Sequence, residues 1–230
     1  MSEFKFHYKY PHPSVTTDCV IFAFDGTRLN VLLIERGIEP FKGKWALPGG
    51  FLREDETAEC GALRELKEET GLGEAYIRQF HTFTEPDRDP RERVITIAFY
   101  ALVRMQDVVG GDDAARAEWH SIDEIPQLAF DHDRILRLAL IELRRQIHFE
   151  PIGFELLPEK FTIKQLQSLY EAILDVRFDR RNFYNKMRHL GILNQSDETV
   201  RTSPQREAFL FSFNREKYNE FKHKGFRLEF

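Results

Sequence analysis

Runs of apolar residues mark the start of the chain as β-structure. Residues 16–23 and 29–35 are rich in Val, Ile, Leu and Phe, and the turn-forming pair Asp25 and Gly26 lies between them. This pattern predicts a β-hairpin. A Pro-Gly-Gly sequence at 48–50 then interrupts regular structure.

From Thr57 the apolar residues follow helical spacing. Ala58, Ala62 and Leu66 recur at intervals of four, and Gly71 is placed to end the helix. The other elements predicted before residue 150 are strands at 75–82, 94–103 and 119–122, a charged loop at 85–93 and an amphipathic helix at 131–147.

The last 80 residues predict two helices followed by a β-hairpin. Thr162 is an N-cap for a helix through Leu174, and Asp179 caps a second helix that Gly191 ends. This order is that of a winged helix-turn-helix domain. The hairpin, or wing, is predicted as strands at 192–194 and 208–213 joined by a polar connection at 195–207.

Basic and amide side chains cover one side of the second helix. Arg and Asn can bind guanine and adenine edges in the major groove of double-stranded DNA, and Lys can neutralise phosphate. The alternative is a small α+β domain for dimerisation or substrate covering whose surface helix is basic by accident. The predicted DNA-binding residues are Arg180, Arg181, Asn182, Tyr184, Asn185, Lys186 and Arg188 on the helix, with Arg201 and Arg206 on the wing.

Charge divides the 230-residue chain, whose net charge is −5, into two parts. Residues 1–150 hold 19 basic and 27 acidic residues, a net of −8, whereas residues 151–230 hold 14 and 11, a net of +3. We place a domain boundary between them, and the segment 150–153 is a candidate hinge. Two cysteines and the lack of a long apolar run predict a cytoplasmic protein that does not contact a membrane.

Three carboxylates lie on one face of the helix that begins after Thr57. Glu65, Glu68 and Glu69 are spaced i, i+3 and i+4. Their repulsion is relieved if a hard divalent cation such as Mg²⁺ binds, and Mg²⁺ commonly bridges to phosphates. On this spacing alone, a solvated acidic helix face is the simpler interpretation.

The wider sequence resembles the Nudix box. That box is Gly, five residues, Glu, seven residues, Arg-Glu-aliphatic, one residue, Glu-Glu, one residue, Gly-aliphatic, and residues 50–72 meet every fixed position. A match of this kind arises by chance roughly once in 10⁷. The resemblance implies an α/β fold, the Nudix α/β/α sandwich around a mixed sheet, and hydrolysis of the pyrophosphate bond in a nucleoside diphosphate derivative.

The resemblance also implies a metal site. The carbonyl of Gly49 and the carboxylates of Glu65, Glu68 and Glu69 would hold Mg²⁺ or Mn²⁺. The metal would neutralise diphosphate charge and lower the pKa of an attacking water.

Further residues of the box are implied to position these carboxylates. Arg64 would contact Glu56 and orient the helix. The general base is Glu65 or a carboxylate on a distant loop, for which Asp112 and Asp113 are candidates. The predicted catalytic residues are Arg64, Glu65 and Glu69.

Four residues outside the box are candidates for ligand binding. Trp45 can stack on a base or sugar, or belong to the core. Arg36, Arg88 and Arg91 can bind phosphate or carboxylate groups in bidentate fashion, although a solvated loop also accounts for the last two. We interpret His132 as a helix-start residue rather than a ligand.

Over nearly its whole length the chain resembles the Nudix-related transcriptional regulators. One branch controls NAD metabolism and senses ADP-ribose-like ligands, and a Bacteroidetes branch senses sugars. Segments 43–51, 87–91 and 128–132 resemble the group, and 150–158 and 165–172 resemble the sugar-sensing branch. Many such regulators have a degraded box, whereas this one is complete.

Two functions follow from this resemblance. The first is an effector-responsive regulator, a homodimer whose Nudix domain (1–150) binds a nucleotide or sugar and whose winged helix (151–230) binds DNA. The second is a Mg²⁺-dependent pyrophosphohydrolase acting on ADP-ribose or a related compound.

Overall fold

The computed structural model describes residues 8–72, 75–108, 114–203 and 205–222. Within these ranges a seven-stranded mixed sheet with two helices is followed by three helices and a two-stranded sheet. A short 3-10 helix, Ile152–Leu156, joins the two parts. The elements are β1 (Ser14–Phe24), β2 (Leu29–Arg36), β3 (Trp45–Ala46), β4 (Gly49–Phe51), α1 (Ala58–Thr70), β5 (Tyr76–Phe83), β6 (Val94–Leu102), β7 (Ala114–Ser121), α2 (His132–Ile147), α3 (Ile163–Leu174), α4 (Arg180–Leu190), β8 (Leu193–Ser203), β9 (Arg206–Phe213) and α5 (Arg215–Lys222).

Strand β1 lies at the centre of the larger sheet. The sheet has the order β3-β2-β1-β6-β5, with β4 paired to β1 and β7 paired to β2. Strands β1 and β2 form the predicted antiparallel hairpin, and Gly26 in its turn has a φ of 100°, a conformation that favours glycine. Strands β1 and β6 are parallel, so the sheet is mixed.

The two faces of the sheet support separate clusters of buried side chains. Cys19 and Ile21 of β1 pack with Leu66 of α1 on one face. Val20 and Phe22 face the opposite cluster, which includes residues of α2. This alternation along β1 produces the α/β/α sandwich that the sequence predicted.

The winged-helix elements begin and end at the predicted caps. Thr162 and Gln165 form a capping box at the start of α3. The Asp179 carboxylate accepts a hydrogen bond from the Asn182 N–H at the start of α4. Gly191 ends α4 with a φ of 69°.

Several strands differ from the sequence prediction. β3 and β4 were not predicted, and β7 begins five residues earlier than expected. The wing was predicted to have short strands, but β8 and β9 extend through most of the polar segment 195–207. Strands β4, β7 and β8 lack an apolar pattern of their own and are held by backbone pairing to β1, β2 and β9.

The connection between the two parts is buried. Ile152 and Phe154 are only 6% and 7% exposed. They belong to one cluster that continues from Phe22 in the sheet to Phe183 in α4. The candidate hinge at 150–153 is therefore packed into a core that the two parts share.

No helix within the described ranges is long and apolar enough to cross a membrane.

Candidate functional site

Helix α1 is fixed at both ends by its own sequence. The Thr57 side chain accepts a hydrogen bond from the Cys60 N–H, and Gly71 closes the helix with a φ of 75°. Leu66 is 1% exposed and anchors the helix on the sheet. The carboxylates of the Nudix box consequently lie next to β4.

Arg64 forms hydrogen bonds with three carboxylates of the box, those of Glu56, Glu65 and Glu68. Its Nε and Nη2 donate to the two oxygens of Glu56 at 2.9 and 2.6 Å. Its Nη1 lies 2.6 Å from Glu65 Oε1 and 2.9 Å from Glu68 Oε2. The hydrogen bonds from Arg64 lower the pKa of Glu56 to about 2. The structure thus contains the predicted contact between Arg64 and Glu56.

Two of the three helix carboxylates approach the backbone of β4. Glu69 Oε2 accepts a hydrogen bond of 2.8 Å from the Gly49 N–H. A Cβ atom added to Gly50 would lie 2.2 Å from Glu65 Oε1, so only glycine allows this approach. Glu68 is half-exposed and, like Glu65, pairs with Arg64.

The donor atoms fit a hard divalent cation. Carboxylate and carbonyl oxygens are the ligands that Mg²⁺ prefers, and Glu65 and Glu69 supply them beside Gly49. The described part of the chain contains no cluster of three acidic, His or Cys side chains that is already arranged around a metal position. Oxygen donors of the kind that a metal site needs are therefore close together, and Glu65 and Glu68 are both bonded to Arg64 in this structure.

A cavity of about 220 Å³ adjoins this corner of the sheet. Its walls come from β1, β2, β4, α1, the loop between β5 and β6, and the start of α2. The cavity includes three of the four predicted ligand-binding residues, namely Arg36, Arg88 and Arg91. Trp45 lies outside it, with its ring 4.6 Å from that of His120 and under the guanidinium of Arg116.

Arg36 and Arg91 are placed around an aromatic ring at the cavity. Their guanidinium groups lie 4.9 and 5.7 Å from the ring centre of Phe130. Arg91 is also paired with Asp89 at 2.7 Å. This arrangement combines positive charge with an apolar surface.

Arg88 forms buried ion pairs at the inner end of the cavity. Its guanidinium lies 2.7 and 3.1 Å from the two carboxylate oxygens of Asp131 and 3.2 Å from Asp18 Oδ2. Burial acts to lower the pKa of Arg88, but the two carboxylates outweigh it and the net shift is upward. Sequence reasoning missed Asp18 and Asp131. The signal for Asp18 is a charged residue inside the otherwise apolar run 16–23.

His132 also lines this inner end. It is the first residue of α2, as predicted, and its Nδ1 accepts a hydrogen bond of 2.9 Å from the Leu47 N–H. In the neutral ring the proton is therefore on Nε2, which lies 3.7 Å from Asp18 Oδ1. Burial lowers the pKa of His132 below its usual value.

This shift predicts a loss of stability in mild acid. Below a pH of 6.5, the ordinary pKa of histidine, the unfolded chain binds a proton that folded His132 does not. The free energy of unfolding should therefore fall by up to about 1.4 kcal/mol per pH unit. Urea unfolding of the wild type and His132→Gln at pH 7.5 and 5.5 measures this contribution. The glutamine can still accept from Leu47 but does not titrate, so an equal pH dependence in both proteins would contradict the prediction.

Asp112 and Asp113, the candidates for a distant general base, lie outside the described residues.

A second surface lies between α4 and the wing. Phe183 and Met187 fix α4 to the core, which leaves its basic side exposed. A groove of about 1,000 Å³ runs between the starts of α3 and α4 and strand β9. Four predicted DNA-binding residues line it, namely Arg180, Arg181, Tyr184 and Arg206, together with the exposed Phe209.

The remaining predicted DNA-binding residues lie elsewhere on the same two elements. The guanidinium of Arg188 is 5.7 Å from the ring of Tyr184. Arg201 is exposed on β8 opposite Glu207. Asn182, Asn185 and Lys186 lie on α4 outside the groove lining, with both asparagines exposed.

The α/β/α sandwich, the complete box and the attached helix pair with a wing define a Nudix domain joined to a winged helix-turn-helix domain. The NUDIX domain model matches residues 12–139, and the NrtR DNA-binding winged helix domain model matches residues 153–213. The chain belongs to the Nudix family and carries the winged helix of the NrtR type.

Comparison with known proteins gives relatives for the whole chain and for the first domain. The ADPR responsive transcriptional repressor NtrR of Acinetobacter baylyi is 32% identical over 215 residues, which cover 91% of this chain and 86% of the repressor. The ADP-ribose pyrophosphatase of Methanocaldococcus jannaschii is 43% identical over 128 residues, 56% of this chain and 73% of the enzyme. The structure of Shewanella oneidensis NrtR complexed with a 27mer DNA superimposes with a TM-score of 0.78 at 29% identity, covering 89% of this chain and 95% of that protein.

Proposed function

We propose that this protein is a transcriptional regulator that binds double-stranded DNA through its winged helix and responds to ADP-ribose bound in its Nudix domain. The main support is similarity to an ADPR responsive repressor over 91% of the chain, which includes both domains. ADP-ribose is favoured over a free sugar because two relatives are named for it. We place the regulator in the cytoplasm as a homodimer, since winged helices usually read paired half-sites.

Helix α2 provides a physical connection between the two proposed sites. His132, its first residue, lines the Nudix cavity, and Asp131 just before it pairs with Arg88, which also lines the cavity. In its last turn the Arg144 Nε donates to the Ile173 carbonyl of α3 at 2.8 Å. A shift of α2 on effector binding would therefore also displace α3 of the winged helix. Coupling between two sites requires a physical connection of this kind.

The proposed function is tested by fluorescence anisotropy with labelled DNA from upstream of the protein's own gene. We expect specific binding at moderate salt and a 5- to 150-fold change in affinity on adding ADP-ribose, the usual range for allosteric coupling, about 1–3 kcal/mol. Specific binding that does not respond to ADP-ribose, or no specific binding with or without it, would refute the proposal.

A second activity is supported by the complete Nudix box. We propose that the domain also hydrolyses ADP-ribose or a related nucleoside diphosphate derivative with Mg²⁺ or Mn²⁺. Glu65 and Glu69 would hold the metal together with Gly49, and Arg64 would fix the carboxylates. A bound cation would activate water and neutralise the diphosphate. The identity of 43% to an ADP-ribose pyrophosphatase favours this activity.

Glu69→Gln should lower any such hydrolysis about a hundredfold. The glutamine retains an acceptor for the Gly49 N–H but lacks the charge that binds the cation, and groups that stabilise charge in this way contribute several kcal/mol. Phosphate release from ADP-ribose, after a phosphatase is added, measures the rate. Glu59→Gln is the matched control on the exposed side of α1 and should leave the rate unchanged. If the wild type does not hydrolyse ADP-ribose with either Mg²⁺ or Mn²⁺, the proposed activity is refuted.

A further inference from the structure

The inner end of the Nudix cavity has a hydrogen-bonding pattern of its own. We call the side chains of Thr16, Asp18, Arg88 and His132 the polar floor, and all four are at least nine-tenths buried and line the cavity. None of them belongs to the Nudix box.

A donor and an acceptor face each other across this floor. Because His132 Nδ1 is occupied by the Leu47 N–H, the Nε2–H is the available donor, and Asp18 Oδ1 is the acceptor opposite it. Their separation of 3.7 Å is too long for a direct hydrogen bond. A hydroxyl group of a ligand could accept from Nε2 and donate to Oδ1 at the same time, since a hydroxyl has both capacities.

Thr16 adds an unsatisfied group to the same surface. Its Oγ1 is buried and has no hydrogen-bond partner among the described residues. Thr16 and Asp18 lie on the same side of β1, so the hydroxyl belongs to the side of the strand that faces the cavity. Buried polar groups normally have partners, and a ligand hydroxyl would supply one.

The charge of the floor disfavours phosphate. Asp18 and the adjoining Asp131 share the single positive charge of Arg88, and His132 is neutral, so the floor together with Asp131 carries a net negative charge. A phosphate is therefore better placed towards Glu65 and Glu69 with their cation or towards Arg91. The volume of about 220 Å³ is below the roughly 300–1,000 Å³ of sites that enclose a whole ligand, so one end of the effector enters.

We propose that the polar floor is a subsite for the hydroxyl groups of a furanose, and that it holds the terminal ribose of ADP-ribose. The inference rests on the proposed function and specifies which end of the effector is recognised. ADP keeps the adenosine ribose but ends in a phosphate, so it lacks the terminal ribose that the floor would bind.

Calorimetric titration of the full-length protein with ADP-ribose and ADP in EDTA tests this assignment. We expect the wild type to prefer ADP-ribose by at least about tenfold, because a site built for the hydroxyls of the terminal ribose discriminates against a ligand that has a phosphate at that end. Asp18→Asn should remove that preference by weakening ADP-ribose binding, with ADP changed less than threefold.

A pair of isosteric variants keeps the test valid if Asp18→Asn does not fold. Thr16→Val should lower the affinity for ADP-ribose several-fold. Thr17→Val removes a neighbouring buried hydroxyl that also has no partner among the described residues but does not line the cavity, so it should leave both affinities unchanged.

The outcomes separate this inference from the proposed function. Equal wild-type affinities for ADP-ribose and ADP, or equal losses for both in Asp18→Asn or Thr16→Val, would overturn the floor assignment and leave the regulator proposal intact. Failure of the wild type to bind ADP-ribose in EDTA and in Mg²⁺ would overturn both. Tighter binding of free ribose or arabinose than of ADP-ribose would overturn the assignment to a terminal ribose.

Discussion

Replacing Arg181 and Arg188 together with alanine is expected to weaken specific DNA binding by roughly 2–6 kcal/mol. Each arginine that contacts a base or phosphate contributes about 1–3 kcal/mol. Both side chains are exposed and lie two turns apart on α4, so they share one face of the helix. Their removal does not disturb Phe183 and Met187, which hold α4 in the core.

Fluorescence anisotropy of the double variant, with wild type as reference, measures this effect. Arg28→Ala together with Arg137→Ala is the matched control, because it removes the same charge from exposed positions on the Nudix domain. The control should change affinity only slightly. Equal losses in the two double variants would mean that overall charge, rather than α4, determines DNA binding. The slope of affinity against salt concentration should also decrease in the α4 variant alone.

The elements that the sequence predicted well are those whose boundaries depend on neighbouring residues. Thr57, Thr162 and Asp179 each cap a helix through a hydrogen bond to a backbone N–H three residues ahead. Gly71 and Gly191 end helices in the left-handed conformation. Such interactions are contained in a few consecutive residues, so a single sequence reveals them.

The features that the sequence did not predict depend on contacts between residues that are far apart in the chain. The inner end of the cavity brings Asp18, Arg88 and His132 together from segments separated by more than 40 residues. The length of β8 comes from its register with β9 rather than from an apolar pattern. The role of the charge at Asp18 and the pairing of the wing strands can be recognised only when their partners are known.

The shared core has a consequence for regulation. A flexible connection at 150–153 would let each domain move without disturbing the other, whereas Ile152 and Phe154 pack into a cluster common to both. Packed interfaces move between discrete arrangements rather than deforming continuously. Coupling between the two proposed sites would therefore involve the contact of α2 with α3, which is where the bond from Arg144 to Ile173 lies.

Arg88→Met should be the most destabilising single substitution proposed here, with a loss of about 3–5 kcal/mol in the free energy of unfolding. Removing the guanidinium leaves Asp18 and Asp131 without their common partner inside the protein, and a buried charge without compensation costs about that much. Urea unfolding at pH 7 measures the change. The methionine has nearly the same length, so the loss reflects charge more than packing.

Two further variants show whether the cause is electrostatic. Arg134→Met removes an exposed arginine whose ion pair with Glu85 is at the surface, so it should cost less than about 1 kcal/mol. Adding Asp18→Asn to Arg88→Met removes one of the two carboxylates left without a positively charged partner and should restore part of the lost stability. A double variant that is no more stable than Arg88→Met would argue against unpaired charge as the cause and indicate that Arg88 acts through its packing between β1 and the start of α2.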